Sequence, residues 1–299
     1  MSMNLRVGVG AITFNGPQRV SKVLESLKSC PPHQEAIKLL FEGQPDSQLI
    51  RSGTIVIDDG STHKNVQLLR KICEAHSVPL GEHRNNQGIS ASWNHCITDL
   101  VHQGNADIVI LLNDDVLLTP GWLESIVFFL YHNPTCALAG LHAPYDGELL
   151  VTDDGKKKGE ADGIHFDVPH RGLCANGFCF GLWVHDWNDA PKFDEAYHAF
   201  YEEVDLGIRL AAQGKLSYNL PWPLIQHEWG TTFYENPSLD ASIKMNLSRE
   251  RFVSKWGGDI AHVYKQFVRE DNRKPLTYLL PNAAGSVKSF RGLPEDVVR

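Results

Sequence analysis

The chain has 299 residues, which suits one large α/β domain with an appendage or two small domains. Its composition is that of a globular protein, 42% hydrophobic and 21% charged, and no apolar run approaches the ~18–20 residues of a membrane span. The net charge of −8 is unevenly spread: residues 244–299 hold 11 Lys and Arg against 6 Asp and Glu, so an acidic body carries a mildly basic tail suited to an anionic partner or a solvated helical face.

Met1–Arg6 leads almost directly into a strand-like Val7–Phe14, with no signal-peptide pattern, so a cytoplasmic protein is expected. The six cysteines contain no C-x-x-C pair, and several lie in apolar runs, which predicts buried free thiols rather than disulfides or zinc. Gly16-Pro17 ends the first strand, and Val20, Val23, Leu24 and Leu27 then recur at helical spacing. Cys30–Ser52 reads as a loop with a short helix near Ala36–Phe41. Thr54–Ile57 is a second strand, ending in Asp58-Asp59-Gly60-Ser61. Val66, Leu69, Ile72 and Cys73 mark a second helix. A short strand near Val78–Leu80 leads to Asn85-Asn86-Gln87-Gly88, and Ile89, Trp93, Cys96, Ile97 and Leu100 form a third helical stripe. Asp107–Leu112 is a strand, and Trp122–Tyr131 a helix. Asp146–Pro169, with Lys156-Lys157-Lys158 at its centre, reads as a long loop. Gly177–Val184 reads as a strand, Tyr201–Gln213 as a helix stopped by Gly214, and Leu224–His227 as the end of another strand. Beyond Ser238 the pattern turns helical and basic. The repeated β–α order with short turns predicts a mainly parallel sheet with helices on both faces.

The most informative stretch is Ile108–Trp122. Five apolar residues run into Asn113, Asp114 and Asp115, as a strand buried on both faces would. Acids at the C-terminal end of such a strand stand where open α/β sheets bind ligands. With few basic neighbours they suit a divalent cation and a phosphate-bearing substrate. Three other polar clusters join them. Thr13-Phe14-Asn15 follows the first strand, Asp58-Asp59-Gly60-Ser61 the second, and Glu202-Glu203-Val204-Asp205 lies on a helix. Taken singly, the Asp-Gly-Ser segment is also a common turn, and Glu202-Glu203 also suits a helix first turn. His227 gains meaning only beside these acids, since imidazole is a common metal ligand.

Several signatures are missing. There is no G-x-x-x-x-G-K-[ST] loop and no G-x-S-x-G elbow, and Thr13 stands where the third glycine of a dinucleotide fingerprint belongs.

In order and spacing these segments resemble the family 2 glycosyltransferases, with their nucleotide-sugar-binding GT-A fold. The resemblance runs from about Val7 to Phe233. It takes in Ile12-Thr13-Phe14-Asn15, then Ile55-Val56-Ile57-Asp58-Asp59-Gly60-Ser61, Asn86-Gln87-Gly88, and Leu111-Leu112-Asn113-Asp114-Asp115. It continues through Pro120-Gly121-Trp122, Phe193-Asp194-Glu195, Tyr201-Glu202-Glu203-Val204-Asp205-Leu206, and Gln226-His227-Glu228. The architecture it implies is a Rossmann-like catalytic domain over residues 1–237 and a helical, mildly basic extension over 238–299.

The resemblance also implies roles. Thr13, Asn15, Asp58, Asp59, Asn86 and Gly88 would frame the donor nucleotide. The family's D-x-D motif falls on Asn113-Asp114-Asp115, with its first Asp replaced. Asp114 would then touch the ribose or donor sugar, and Asp115 with His227 would hold the cation, Mn²⁺ or Mg²⁺. The imidazole favours Mn²⁺. The family's base is usually the Asp of a Glu-Asp pair. Here the pair is Glu202-Glu203, so Glu203 takes that place with a side chain one methylene longer. The implied reaction is inverting transfer from a nucleotide-sugar donor, most simply a UDP-sugar. The acceptor is a saccharide, a lipid-linked glycan, or a hydroxymethylated base in viral DNA. Glu202, Trp183 and Trp229 are acceptor candidates, with Trp187 and Trp222 as further aromatic platforms or core residues. The competing classes are a nucleotidyltransferase, which normally shows a basic Gly-rich loop where Gly10–Arg19 offers only Arg19, and a non-catalytic sugar- or nucleic-acid-binding relative.

Overall fold

The computed structural model describes residues 4–42, 47–143, 170–172, 174–184, 192–222, 225–228, 230–267, 275–281 and 287–292. Within them the elements run β1 (Asn4–Thr13), α1 (Pro17–Ser29), α2 (Gln34–Leu40), β2 (Gln48–Asp58), α3 (His63–Ala75), β3 (Leu80–Glu82), α4 (Ile89–His102), β4 (Ile108–Asn113), β5 (Val116–Leu117) and α5 (Trp122–His132). They continue with β6 (Cys136–Leu141), β7 (His170–Gly172), β8 (Cys179–Trp183), α6 (Glu202–Ala211), β9 (Leu216–Leu220), β10 (Gln226–His227) and α7 (Thr231–Glu235). A 3₁₀ turn (Pro237–Leu239), α8 (Ala241–Trp256), α9 (Ile260–Phe267), β11 (Leu276–Pro281) and β12 (Val287–Gly292) complete the chain.

The main sheet has eight strands in the order β3-β2-β1-β4-β8-β6-β9-β7. The run β3-β2-β1-β4 is parallel throughout, and β8 is antiparallel to both β4 and β6. The expected mainly parallel sheet flanked by helices is therefore present. Its central strands β1 and β4 are largely apolar because both faces are covered. Val7, Val9, Ala11, Ile108, Ile110 and Leu112 face one core with α1 and α5, while Val109, Leu111, Ile55 and Ile57 face a second core with α4. This is the two-residue alternation of a strand buried on both sides. Gly8 and Gly10 belong to that packing rather than to a cofactor loop: a Cβ on Gly10 would lie 2.8 Å from Cys96 Sγ on α4.

Several stretches depart from the sequence-based expectation, among them the strands β6 and β9, which it does not include. The second strand is longer than Thr54–Ile57, starting at Gln48. The strand expected over Leu224–His227 is the two-residue β10, which pairs with β5 outside the main sheet. The C-terminal extension is helical only as far as Phe267; β11 and β12 then form an antiparallel hairpin, with buried Leu276, Tyr278 and Leu279 joining the core beside α5. The hairpin's Leu-Thr-Tyr-Leu-Leu run is rich in strand formers, and basic composition alone does not make a helix. The Asp146–Pro169 loop with its three lysines lies outside the described residues, as do Trp187 and Trp229.

The tail is tied to the body. Arg251 and Lys255 both reach Asp194 at 2.9 Å, Lys255 also reaches Asp205 at 2.7 Å, and Trp256 Nε1 donates to Asp205 at 3.0 Å. Burial opposes ionisation of Asp194, but hydrogen bonds from Lys255 and Arg251 outweigh it and hold the carboxyl down at about 2. All six cysteines are free; five are buried and Cys174 is half-buried. Among the described residues no helix is long and apolar enough to cross a membrane.

Candidate active site

The parallel strands β2, β1 and β4 end on one side of the sheet, and a cavity of about 520 Å³ opens there, as the topology of such sheets dictates. Of the residues singled out in the sequence, Thr13, Asp59, Asn86, Gly88, Asp114, Asp115, Glu202, Glu203 and His227 line it. Asn15, Asp58 and Trp183 do not.

Asp58 and Asp59 are adjacent but diverge. Asp58 is fully buried and turned onto its own loop, accepting from Ser61 N at 3.0 Å and from Ser61 Oγ. Burial pushes its carboxyl above the ordinary range. Asp59 faces the cavity and organises the turn beyond it. It accepts from Gln87 N at 2.8 Å, Gly88 N at 2.9 Å and His83 Nδ1 at 2.9 Å. Gly88 sits at φ +92°, and a Cβ there would lie 2.6 Å from His198 O, so only glycine fits. The Asn15 side chain is spent on protein: its amide donates to Asn236 Oδ1 at 2.8 Å, and its oxygen accepts from Thr62 N and Asn65 Nδ2.

At the end of β4, Asp114 is held by Arg19, whose Nε and Nη2 donate to it at 3.0 Å each, and by the Thr13 hydroxyl. Burial raises the Asp114 carboxyl to about 6, against the pull of Arg19. Arg19 also pairs with Glu235 and donates to Thr232 Oγ1 at 3.2 Å, so it links the floor of the cavity to α7. Local pattern does not reveal this contact, because Arg19 lies in the first turn of α1, 95 residues from its partner. Removing one member of a buried ion pair costs about 3–5 kcal/mol because the other is left uncompensated. Arg19→Met is therefore expected to lose that much stability in urea unfolding at neutral pH. The sign follows from the raised Asp114 value: stabilisation of the protonated form is complete below the unfolded value of about 3.9 and is lost as pH rises through about 6. Without Arg19 that penalty grows, so the deficit should be larger at pH 8 than at pH 5. A loss under about 1 kcal/mol at pH 8, the range of a surface pair, would show that the pair is not structural.

Asp115 and His227 are brought together by the small β5–β10 ribbon, in which Val116 pairs with His227, and by Glu228 N donating to Asp115 O at 2.9 Å. His227 Nε2 lies 3.2 Å from Asp115 Oδ1, and Phe178 stacks on the imidazole with ring centroids 4.3 Å apart. Asp115 Oδ1 is buried and accepts no hydrogen bond among the described residues. A buried carboxylate oxygen without a donor, facing an imidazole nitrogen, fits a divalent cation with mixed N and O ligands. Among the described residues no group of three or more His, Cys, Asp or Glu could hold a metal ion. Asp115 and His227 are thus two residues that could hold a cation.

Glu202 and Glu203 open α6. Phe200 and Tyr201 before them hold φ of +67° and +69°, a left-handed pair of bulky residues of the kind that persists where surrounding structure imposes it, often at functional sites. Burial raises both carboxyls; Glu202 is driven well up, and the charge of Glu203 beside it adds to the effect. Both carboxyls thus hold a proton more readily than an ordinary glutamate, Glu202 the more so. Glu203 Oε2 is buried and has no donor among the described residues. Consecutive residues tie this acid to the imidazole: a Cβ on Gly177 would lie 3.5 Å from Glu203 Cδ, while Phe178 stacks on His227.

Trp183 must be reassigned. It pairs with Ile108 at the far end of β8 from the cavity, and its indole N–H donates to Leu130 O at 3.2 Å, so it is a packing residue. Trp222 packs against Gly121, where a Cβ would meet its ring at 2.7 Å. The aromatic wall of the cavity is instead Phe14, Phe178, Phe200 and Phe233, the last two stacked at 5.2 Å and 14°. Lys244 from α8 also lines it, its ammonium 3.4 Å from His198 Nδ1.

A mainly parallel sheet with acids from successive strand ends around one cavity is the arrangement of GT-A proteins. The chain resembles the family 2 glycosyltransferases among them: the family model described as Glycosyl transferase family 2 matches residues 53–179. Among solved structures it is similar to the mannosyltransferase PcManGT from Pyrobaculum calidifontis in complex with GDP-Man and Mn²⁺, at 14% identity and TM-score 0.55, covering 88% of this chain and 67% of that one. It is similar to GalNAc-T7 with UDP, GalNAc and Mn²⁺, at 12% identity and TM-score 0.56, covering 88% of this chain and 56% of that one. It is also similar to S. aureus TarS 1-349 in complex with UDP, at 13% identity and TM-score 0.50, covering 89% and 76%. At these identities the likeness is one of fold, and the chain spans just over half of GalNAc-T7. No curated protein sequence matches it.

Proposed function

We propose that this protein transfers a sugar from a nucleotide-sugar donor to an acceptor hydroxyl with inversion at the anomeric carbon. The observation that carries this reading is that Glu203, the Asp115–His227 pair and the Asp59–Gly88 turn all open into one cavity. Asp59, Asn86 and Gly88 frame the nucleoside, and Thr13 with Arg19-bound Asp114 shapes the floor beneath the ribose. Asp115 and His227 would hold a divalent cation, Mn²⁺ or Mg²⁺, which would supply positive charge to the donor diphosphate. The solved relatives bound to UDP or GDP-Man with Mn²⁺ support a donor of this class.

Glu203 removes the acceptor's hydroxyl proton as the oxygen attacks the anomeric carbon from the face opposite the nucleotide. The new glycosidic bond forms as the bond to the phosphate oxygen breaks, and the products are a glycoside and a nucleoside diphosphate. The Phe200–Phe233 pair offers a stacking face to the acceptor ring. Arg251 and Lys255 of the basic tail are engaged with Asp194 and Asp205, which leaves less positive charge for a nucleic-acid backbone and favours a saccharide or lipid-linked glycan over hydroxymethylated DNA. The free, buried thiols support a reducing, cytoplasmic setting.

Incubation with a panel of UDP-, GDP-, TDP- and CMP-sugars and Mn²⁺ tests the function. Release of nucleoside diphosphate or monophosphate with liberation of sugar from at least one donor is expected. Release of pyrophosphate from sugar phosphate and nucleoside triphosphate would identify a nucleotidyltransferase, and binding without turnover a non-catalytic relative.

A further inference from the structure

Four side chains stand in line behind the donor-framing turn. His83 Nδ1 meets Asp59 Oδ1 at 2.9 Å, His83 Nε2 meets His95 Nδ1 at 3.0 Å, and His95 Nε2 meets Asp99 Oδ2 at 3.5 Å. The two ring planes lie 13° apart. The row joins the end of β2, the residue after β3, and one face of α4. Gly81 leaves room for it: a Cβ there would lie 3.2 Å from His95 Cε1. Of the four, only Asp59 lines the cavity.

The protons in this row can be assigned. Asp59 accepts two backbone N–H groups, from Gln87 and Gly88, and accepts from His83 as well. His83 therefore carries its proton on Nδ1. Its Nε2 then receives a proton from His95 Nδ1, which leaves His95 Nε2 facing a carboxylate. That last contact, at 3.5 Å, is the loosest of the three. The other charged groups around the row are already committed: Arg70 on α3 pairs with Glu82 on β3 at 2.6 Å, and Asp58 is bonded to Ser61. The His83 backbone N–H is fixed on Asp58 O at 2.9 Å. Solvent reaches the row at its outer end, where His95 is 33% exposed.

We propose that His83 and His95 form a hydrogen-bonded clamp that fixes Asp59, and through it the Gln87–Gly88 turn, in the position that receives the donor nucleotide. Both are positioning residues, since neither meets the cavity. Loss of the His83 side chain removes one of the two donors on Asp59 Oδ1 and frees the turn, so donor affinity falls. The clamp's function rests on the proposed donor site; its proton order does not.

Two measurements on the whole chain test it. Nitrogen-15 NMR of the imidazoles in the unliganded protein should show His83 protonated on Nδ1 with Nε2 as acceptor; the opposite tautomer overturns the clamp. Titration with UDP, and separately with GDP, in Mn²⁺ reads donor affinity in the wild type and the variants. His83→Ala should weaken binding about tenfold, the scale of one hydrogen bond to a charged group. His83→Asn, which keeps an amide donor on Asp59, should bind within about twofold of wild type. Equal affinity for wild type and His83→Ala, or failure of His83→Asn to restore the affinity lost in His83→Ala, overturns the proposal. Failure of the wild type to bind either nucleotide overturns the donor site and the clamp's role there, and the tautomer result separates that failure from absence of the clamp itself.

Discussion

Glu203→Gln is expected to lose about 10²–10⁴-fold in turnover, the usual contribution of a positioned general base, while donor affinity stays within about twofold of wild type. The substitution keeps the size of the side chain but removes the only feature the chemistry needs, a buried oxygen able to take a proton. The same variant should be the more stable protein. A carboxyl whose folded value is raised by burial stabilises the fold in its protonated state; that contribution is complete below the unfolded value of about 4.3 and is lost as pH rises through the folded one. At pH 8 the wild type carries an ionised Glu203 in a buried site and the glutamine variant does not, so thermal unfolding should place the variant higher at pH 8 and level with wild type near pH 4. For the active wild type, the rate should fall on the acid side at a pH above that of an ordinary glutamate. Retained turnover in Glu203→Gln, or equal loss of binding and turnover, removes Glu203 from the role of base.

Asp115→Ala is expected to abolish the manganese-dependent part of nucleotide binding, lowering metal affinity by more than the ~10–100-fold that loss of an outer-shell partner typically costs. His227→Ala should act in the same direction. Asp115→Asn is the sharper test, because it preserves the shape of the buried side chain and removes its charge. UDP and GDP titrations with and without Mn²⁺ read the effect. In the wild type the two conditions should differ; in all three variants they should coincide. A variant that keeps the full manganese increment would show that the cation sits elsewhere.

These expectations rest on features that differed in how openly the sequence displayed them. The parallel half of the sheet was legible because β4 and β1 are buried on both faces and so are written as largely apolar runs. β5 and β10, two residues each, carry no periodicity at all, yet their pairing is what sets His227 against Asp115. β6, with the composition Cys-Ala-Leu-Ala-Gly-Leu, is too poor in β-branched and aromatic residues to announce a strand, and it forms because β8 and β9 flank it. At the site, Asp58 and Asp59 are equivalent in sequence, and only the turn geometry sends one inward to Ser61 and the other to the cavity. Trp183 looked like a stacking platform until the register of β8 put it against Ile108, at the wrong end of the sheet. Arg19 and the His83–His95 row went unseen because their partners are distant in sequence or lie on separate elements.

The central claim is that one cation site, built by Asp115 and His227, shares a cavity with Glu203. Diffraction at the manganese absorption edge from crystals grown with UDP and Mn²⁺ tests it most directly. The expected result is an anomalous peak bonded to one oxygen of Asp115, to His227 Nε2 and to the UDP diphosphate, with Glu203 facing the open side where a donor sugar would sit. A peak away from Asp115 and His227, or UDP bound outside this cavity, would contradict it.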